Sequence, residues 1–453
     1  MTGAVEVGPG RFTVPQNRWD LLAPPIRPPS VSVVVPFYDQ QADLDRLLVG
    51  MELQHGGNDV REVVVVDDGS PVGPCLPHWY DGPPVVVLRQ PDRGFRAGAA
   101  RNLGAARATG DVLVFLDADM VPTPKFVRQM VEIPAVAPEA VVVGTRQHWD
   151  LEGWTPTRVR RWLCGGRTPP RLDDPSWLRD GYERTGDLLE LTERSYQWVI
   201  SAALAVPRPW FEELGGFDES ICAYGGEDWD LAYRAQNAGA VMARSHAVAH
   251  HNGADWAGRA GQDGVKERER RNLVARIPGR DDPLIGRYAS VVLHLDASDQ
   301  EADDVLACVA TALAAEPTCV AVSITGLPEE ASTLFENDSR VHLGPPPSRV
   351  TERALVTVRV LRPVHVGAEA VDRILARLAP GGPARLVVVD EDGEALMICT
   401  STRAEQRVAR WAPLSGQDRM RTRLFGLDGR CHPRDLDLQV LAAPVDLVRM
   451  FPR

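Results

Sequence analysis

The stretch VLVFLDADM, Val112–Met120, decides the fold. It is apolar up to Leu116 and then meets Asp117 and Asp119. An apolar run of that length bounded by acids reads as a buried strand, and its neighbours repeat the pattern. VSVVVPFY (31–38), EVVVVDDGS (62–70) and VVVLRQ (85–90) are further strands. Between the first two, Leu44, Leu47, Leu48 and Met51 recur at helix spacing, and AGAARNLGAARATG (97–110) is an Ala-rich helix closed by Gly110. Strands alternating with helices predict an α/β fold, a mostly parallel sheet covered on both faces.

A parallel sheet binds its ligands outside the carboxyl ends of its strands. Asp67 and Asp68 end one strand and Asp117 and Asp119 another, so both pairs look into one crevice. Carboxylates gathered there repel one another unless a cation or donor groups meet them. In extended chain, positions 117 and 119 point the same way. Either pair alone is what a strand end uses to cap a turn. Two pairs together point to a shared Mg²⁺ or Mn²⁺, hard cations that prefer oxygen ligands and bridge phosphates.

Six segments, in their order and spacing, resemble family 2 glycosyltransferases of the GT-A fold: VSVVVPFY, VVVVDDGS, RGFRAGAARNLG, FLDADMVP, GGFDES and GGEDWDLAYR. The resemblance covers about residues 30 to 255, and its later part is most similar to chondroitin-polymerase-type transferases and to galactosyltransferases sharing a GGED segment. It implies a nucleotide-sugar donor, a UDP-sugar or another nucleotide sugar, and a glycan acceptor, with a peptide or a small natural product as the alternative. It further implies that Pro36, Phe37 and Tyr38 frame the base and that Asp68, with Asp67 beside it, contacts the uridine. Arg93, Arg96, Arg101 and Asn102 match the segment lining the nucleotide pocket, although Arg96 and Arg101 also read as surface charges on an Ala-rich helix. Asp117, Ala118 and Asp119 match the DxD motif, with Asp119 the stronger metal ligand. The family often adds a His after the acidic helix; in AVAHHNGAD, His251 aligns best and His250 is a close rival.

Glu227 and Asp228 open a helix after two glycines. Acids there favour the helix dipole, which is the structural explanation. The functional one is that they face the acceptor, whose hydroxyl is a poor nucleophile until a base takes its proton. The resemblance assigns that role to Asp228 in an inverting transfer. Eight of the eleven tryptophans (149, 154, 162, 177, 198, 210, 229 and 256) lie between 149 and 256, as core or as a platform for an acceptor ring. Sugar-phosphate nucleotidyl transfer is set aside, because PFYDQQADL has no glycine where those enzymes carry a Gly-rich loop. A non-catalytic sugar-binding scaffold is disfavoured by the presence of Asp119, Asp228 and His251 together.

A chain of 453 residues predicts two or three domains. We expect an irregular Pro/Gly-rich arm at 1–30, the GT-A domain at 31–285, and an α/β accessory domain at 286–453, possessing no strand-end DxD and similar to a degenerate GT-A unit. The boundary is set by RIPGRDDPLIG (276–286); VVVDEDGE is explained by a hairpin turning at Asp392-Gly393. Residues 145–185 have weak periodicity and read as loop with short helices, and KERERR (266–271) as a solvated helix. The net charge of −12 argues against nucleic-acid partners. Seven scattered Cys without a CxxC predict reduced thiols. With no bilayer-length apolar run and no signal-peptide pattern, the expected compartment is the cytoplasm.

Overall fold

The computed structural model describes residues 3–441 and 445, apart from 26, 56–58, 223–224, 255–262, 275, 279–287, 316–319, 328–330, 332 and 336–337. Trp256, Cys319 and most of the 276–286 stretch lie outside the described residues, as does the boundary expected near 285. The chain divides into two compact units: Thr2–Gln236 with Ala240–Asn272, and chiefly Leu273–Arg453. No helix of the described residues is long and apolar enough to cross a membrane.

The first unit opens with a hairpin, β1 (Val5–Gly8) and β2 (Arg11–Thr13). The irregular arm expected there is thus partly ordered. Strands of four and three residues carry too little alternation to be read from sequence. Tertiary bonds hold the arm: Phe12 N–H donates to the Val136 carbonyl (2.7 Å), and Asn17 Nδ2 to the carbonyls of Leu188 (2.6 Å) and Met242 (2.7 Å).

The main sheet has eight strands. In chain order they are β3 (Val31–Phe37), β4 (Val60–Asp67), β5 (Val85–Arg89), β6 (Val112–Leu116), β7 (Met120–Pro122), β8 (Ala140–Trp149), β9 (Ala203–Pro207) and β10 (Val241–Asn252). They lie in the order β5-β4-β3-β6-β9-β8-β10-β7. β5, β4, β3 and β6 are parallel; β9 runs against β6 and β8; β10 is parallel to β8, and β7 runs against β10. This is the mostly parallel mixed sheet expected of a GT-A domain. One edge therefore collects the carboxyl ends of β3, β4, β6, β8 and β10 and the start of the reversed β9.

The helices bury the sheet. Leu44, Leu47, Leu48 and Met51 of α1 (Gln41–Glu52) are fully buried against Val33, Val35 and Val63. α2 (Ala97–Arg107) lies so close to the other face that a Cβ on Gly104 would stand 2.4 Å from Val34 Cγ1. Overpacking of that kind is destabilising, so the small residues of this helix set its distance from the sheet.

The stretch 145–185 contains the short helices expected of it and departs from its reading only at its start. After α3 (Phe126–Met130), β8 continues as strand through Trp149, and α4 (Pro156–Leu163) and α5 (Ser176–Thr185) follow. Its last residues are polar or aromatic because they reach the ligand edge, and that hid the strand. α6 (Arg208–Glu213), α7 (Glu227–Asn237) and α8 (Asp263–Val274) complete the unit, with Glu267, Arg270 and Arg271 of the KERERR run exposed.

The second unit has its own sheet. Its strands include β11 (Val291–Asp296), β12 (Val320–Thr325), β13 (Val341–Leu343), β14 (Val356–Val360), β15 (Val364–Val366), β16 (Arg385–Val389), β17 (Ala395–Ser401) and β18 (Gly429–Cys431). Apart from β15 they form one sheet, β13-β12-β11-β14-β17-β16-β18. Only β17 runs against its neighbours β14 and β16. β16 and β17 form the expected hairpin, where Asp390 Oδ1 accepts from the N–H groups of Asp392 (3.1 Å) and Glu394 (2.9 Å). That acid organises a turn.

Candidate active site

The ligand edge of the eight-stranded sheet encloses a cavity of about 560 Å³. Pro36, Phe37 and Tyr38 come from the end of β3, Asp68 from beyond β4, and Asp117–Asp119 from beyond β6. Arg146 comes from β8, Ile200–Ala202 from before β9, His251 from β10, and Glu227–Trp229 from the start of α7.

Asp117 and Asp119 do not act as one extended pair. The chain turns at Ala118 and Asp119 before re-entering a strand at Met120. The two carboxylates consequently meet different partners. Asp117 Oδ1 accepts from Arg101 Nη2 at 2.6 Å, and Asp119 Oδ2 lies 3.2 Å from His251 Nε2. The pairing of β10 with β7 sets His251 opposite Met120.

His251 Nδ1 is 3.1 Å from the Gly253 carbonyl. A carbonyl only accepts, so Nδ1 carries the hydrogen. The Nε2 lone pair of a neutral ring would then face a carboxylate, and the contact requires a positive charge. Burial alone would lower the His251 pKa, but the Asp119 carboxylate outweighs it and holds the imidazolium above its ordinary range. Burial likewise opposes ionisation of Asp119, and His251 reverses that, keeping the carboxyl below its usual range. Asp119 Oδ1 is buried with no hydrogen-bond partner among the described residues. A divalent cation fits this donor set: it would take the carboxylate and the imidazole, replacing the proton on Nε2. Among the described residues no group of three or more His, Cys, Asp and Glu is arranged around such an ion. Two protein ligands with substrate phosphates and water are what hard cations at phosphate sites ordinarily use.

His250 points to the other side of β10, as strand alternation demands. It packs against Trp162 (ring centroids 4.5 Å) and Trp149 (5.6 Å), where burial pushes its pKa down to about 4.

Arg101 is buried and bridges the two acidic groups. Its Nη1 donates to Glu227 Oε1 (3.1 Å) while Nη2 holds Asp117, and its guanidinium stacks 5.4 Å from the Phe217 ring centre. Burial works against its charge, yet Asp117 and Glu227 prevail and raise its pKa. Removing one partner of a buried ion pair strands the others. Arg101→Met is accordingly expected to lower stability by about 3 kcal/mol or more, read as a lower denaturation midpoint in urea; unchanged stability would show that the acids find other partners.

Gly225 and Gly226 have φ of 92° and 96°, left-handed values that favour glycine. This turn sets α7 down with its first residues on the cavity. Asp228 Oδ1 accepts from its neighbour Trp229 N–H (2.8 Å) and Oδ2 from Ser201 N–H (3.4 Å). Burial, then the adjacent Glu227 charge, pushes the Asp228 carboxyl up to about 7. Glu227 Oε2 is buried with no hydrogen-bond partner among the described residues.

The remaining expected residues divide. Asp68 lines the cavity, fixed by Gln90 Nε2 (2.6 Å) and Arg96 N–H (2.8 Å). Asp67 turns away to the Ser70 N–H (2.8 Å) and Arg89 (3.1 Å). The Arg96 guanidinium lies 3.7 Å from Glu219, Asn102 binds the backbone of Phe217, and Arg93 is exposed; none of the three lines the cavity. Of the tryptophans, 154, 162, 198 and 210 are buried, whereas Trp177 and Trp229 line the cavity with ring centroids 6.4 Å apart. Arg146 and Ser201 were not singled out in the sequence. The signal for Arg146 was the run AVVVGT before it, which continues as strand.

Residues 32–198 match Glycosyl transferase family 2, and residues 192–252 match the N-terminal domain of galactosyltransferase. Validoxylamine A glucosyltransferase of Streptomyces hygroscopicus subsp. limoneus is 30% identical over 232 residues, covering 47% of this chain and 49% of that protein. Chondroitin synthase of Escherichia coli is 26% identical over 238 residues, covering 49% and 34%. The chain thus spans about half the length, or less, of these relatives. Among solved structures, the mannosyltransferase PcManGT from Pyrobaculum calidifontis, in complex with GDP-Man and Mn²⁺, is similar with a TM-score of 0.37 and 19% identity, over 57% of this chain and 67% of that one.

Proposed function

We propose that this chain, whose residues 32–198 match Glycosyl transferase family 2, moves a sugar from a UDP-sugar to a hydroxyl of a glycan acceptor, with inversion and with a divalent metal, Mn²⁺ or Mg²⁺. One observation carries the reading: a single cavity is lined both by the Asp119–His251 pair and by Asp228. A bound metal would supply charge neutralisation for the departing diphosphate, with Asp119 and His251 as its protein ligands. Asp68, Pro36, Phe37 and Tyr38 form the nucleotide end. At the acceptor end, Asp228 takes the hydroxyl proton while the acceptor oxygen bonds to the anomeric carbon and the bond to UDP breaks with its electron pair. Trp177 and Trp229 offer that acceptor an aromatic wall.

A second acceptor reading, a small natural product, is favoured by the likeness to a validoxylamine A glucosyltransferase. Cys75, Cys164 and Cys222 are exposed free thiols, which suits a reducing compartment, and the cytoplasm is the one proposed.

Screening nucleotide sugars with Mn²⁺ for binding and for nucleotide release tests the donor. Binding of no nucleotide sugar would remove the proposal. We further expect residues 1–285 to carry donor binding, since every lining residue lies before 270. A folded chain ending at 285 that has lost donor binding would contradict this; loss of acceptor turnover alone would leave it standing, because the accessory domain then serves the acceptor.

A further inference from the structure

Resting on the reading that this cavity takes a nucleoside diphospho-sugar, we propose that Arg146 is a catalytic residue: its guanidinium binds the diphosphate oxygens and balances the charge they gain as the nucleotide leaves. Nothing in the motif set or in the family resemblance pointed to this side chain.

The diphosphate needs cations, and those expected from sequence are committed or elsewhere. Arg101 is buried between Asp117 and Glu227, Arg96 reaches toward Glu219, and Arg93 is exposed outside the cavity. Arg146 differs from all three. It lines the cavity and is half-buried, and among the described residues its side chain makes no hydrogen bond and no ion pair. Its Nε is buried with no hydrogen-bond partner among the described residues. A guanidinium stays charged at any physiological pH, and holding one partly out of water without a counter-ion is unfavourable unless a ligand supplies the anion.

Position narrows the anion. Arg146 sits on β8 opposite Ala249 of β10, two places before the His148–His251 pairing, and so shares the sheet face of His251. Its charge reaches both Asp119 and His251, favouring the carboxylate and opposing the imidazolium that Asp119 holds. The acid nearest in influence, Asp119, is already engaged by His251. Arg146 therefore stands beside the same two residues that fit a metal, on the leaving-group side. A planar fork of N–H donors matches two phosphate oxygens at once, which an ammonium does not. A carboxylate on the donor sugar is the competing anion, and the two are separable by leaving the sugar out.

The experiment is calorimetric titration of the full chain, wild type, Arg146→Gln and Arg146→Lys, with UDP, GDP and uridine, in Mn²⁺ and again in chelator. Loss of a charged hydrogen-bonding partner is expected to weaken UDP binding about 10- to 100-fold in Arg146→Gln, in chelator as well as in Mn²⁺, with uridine unaffected. Arg146→Lys keeps the charge without the fork and should fall between. UDP binding unchanged in both variants overturns the assignment, and it points to a sugar carboxylate if only an acidic donor sugar binds worse. A wild-type chain that binds neither diphosphate overturns the underlying functional reading and this assignment with it. Wild-type binding that the variants retain overturns the assignment alone. Should Arg146→Gln fail to fold, Arg146→Lys alone decides: UDP affinity equal to wild type is the refuting result.

Discussion

Asp228→Asn is expected to reduce turnover by about 10²- to 10⁴-fold, the usual contribution of a positioned general base, while UDP-sugar binding survives. The amide keeps the size of the carboxylate, and its one oxygen still accepts from the Trp229 N–H (2.8 Å), with only the longer contact to the Ser201 N–H (3.4 Å) given up, so the start of α7 stays in place. The pH dependence separates this role from a purely structural one. With the carboxyl near 7, Asp228 is protonated and idle in mild acid, and kcat/KM should rise as the pH passes through about 7 and then level off. Asp228→Asn should lose that limb. The same shift has a stability counterpart. The folded state holds a proton that the unfolded chain releases near 3.8, so stability falls as pH rises from there through about 7. Without ligand, Asp228→Asn should melt above wild type at pH 8 and level with it in acid. A product with the donor's own anomeric configuration would refute inversion, and near-normal turnover in the variant would refute the assignment.

Asp119→Asn, or chelation of the wild type, is expected to remove metal-supported UDP binding. Perturbing even the outer partners of a metal site typically costs about 10- to 100-fold in affinity, so loss of a ligand should reach at least that. The carboxylate is what Nε2 of His251 meets at 3.2 Å, and its second oxygen is buried with no hydrogen-bond partner among the described residues. The substitution keeps one oxygen and deletes the negative charge that favours a divalent cation. Titration of Mn²⁺ and UDP against both proteins reads the effect directly. Full activity in excess chelator is the outcome that sinks metal dependence.

The sequence by itself determined the parallel sheet, the acids at two strand ends and the glycine-led helix bearing Glu227 and Asp228. Each is local: an apolar run bounded by acids, or two glycines before a helical period, is complete within about ten residues. Which acid meets which base was left to the tertiary structure. Asp117 finds Arg101, 16 positions away, because the chain turns at Ala118. Asp119 finds His251 only because β10 pairs with β7 in one register and shifts against β8 between Arg244 and Val248. Side chains alternate along a strand, so a slip of one residue would have presented His250 instead and buried His251 among tryptophans. Arg146 escaped notice for the same reason. Its value lies in having no partner among residues far away in sequence, and the absence of a contact becomes legible only after the other strands are in place.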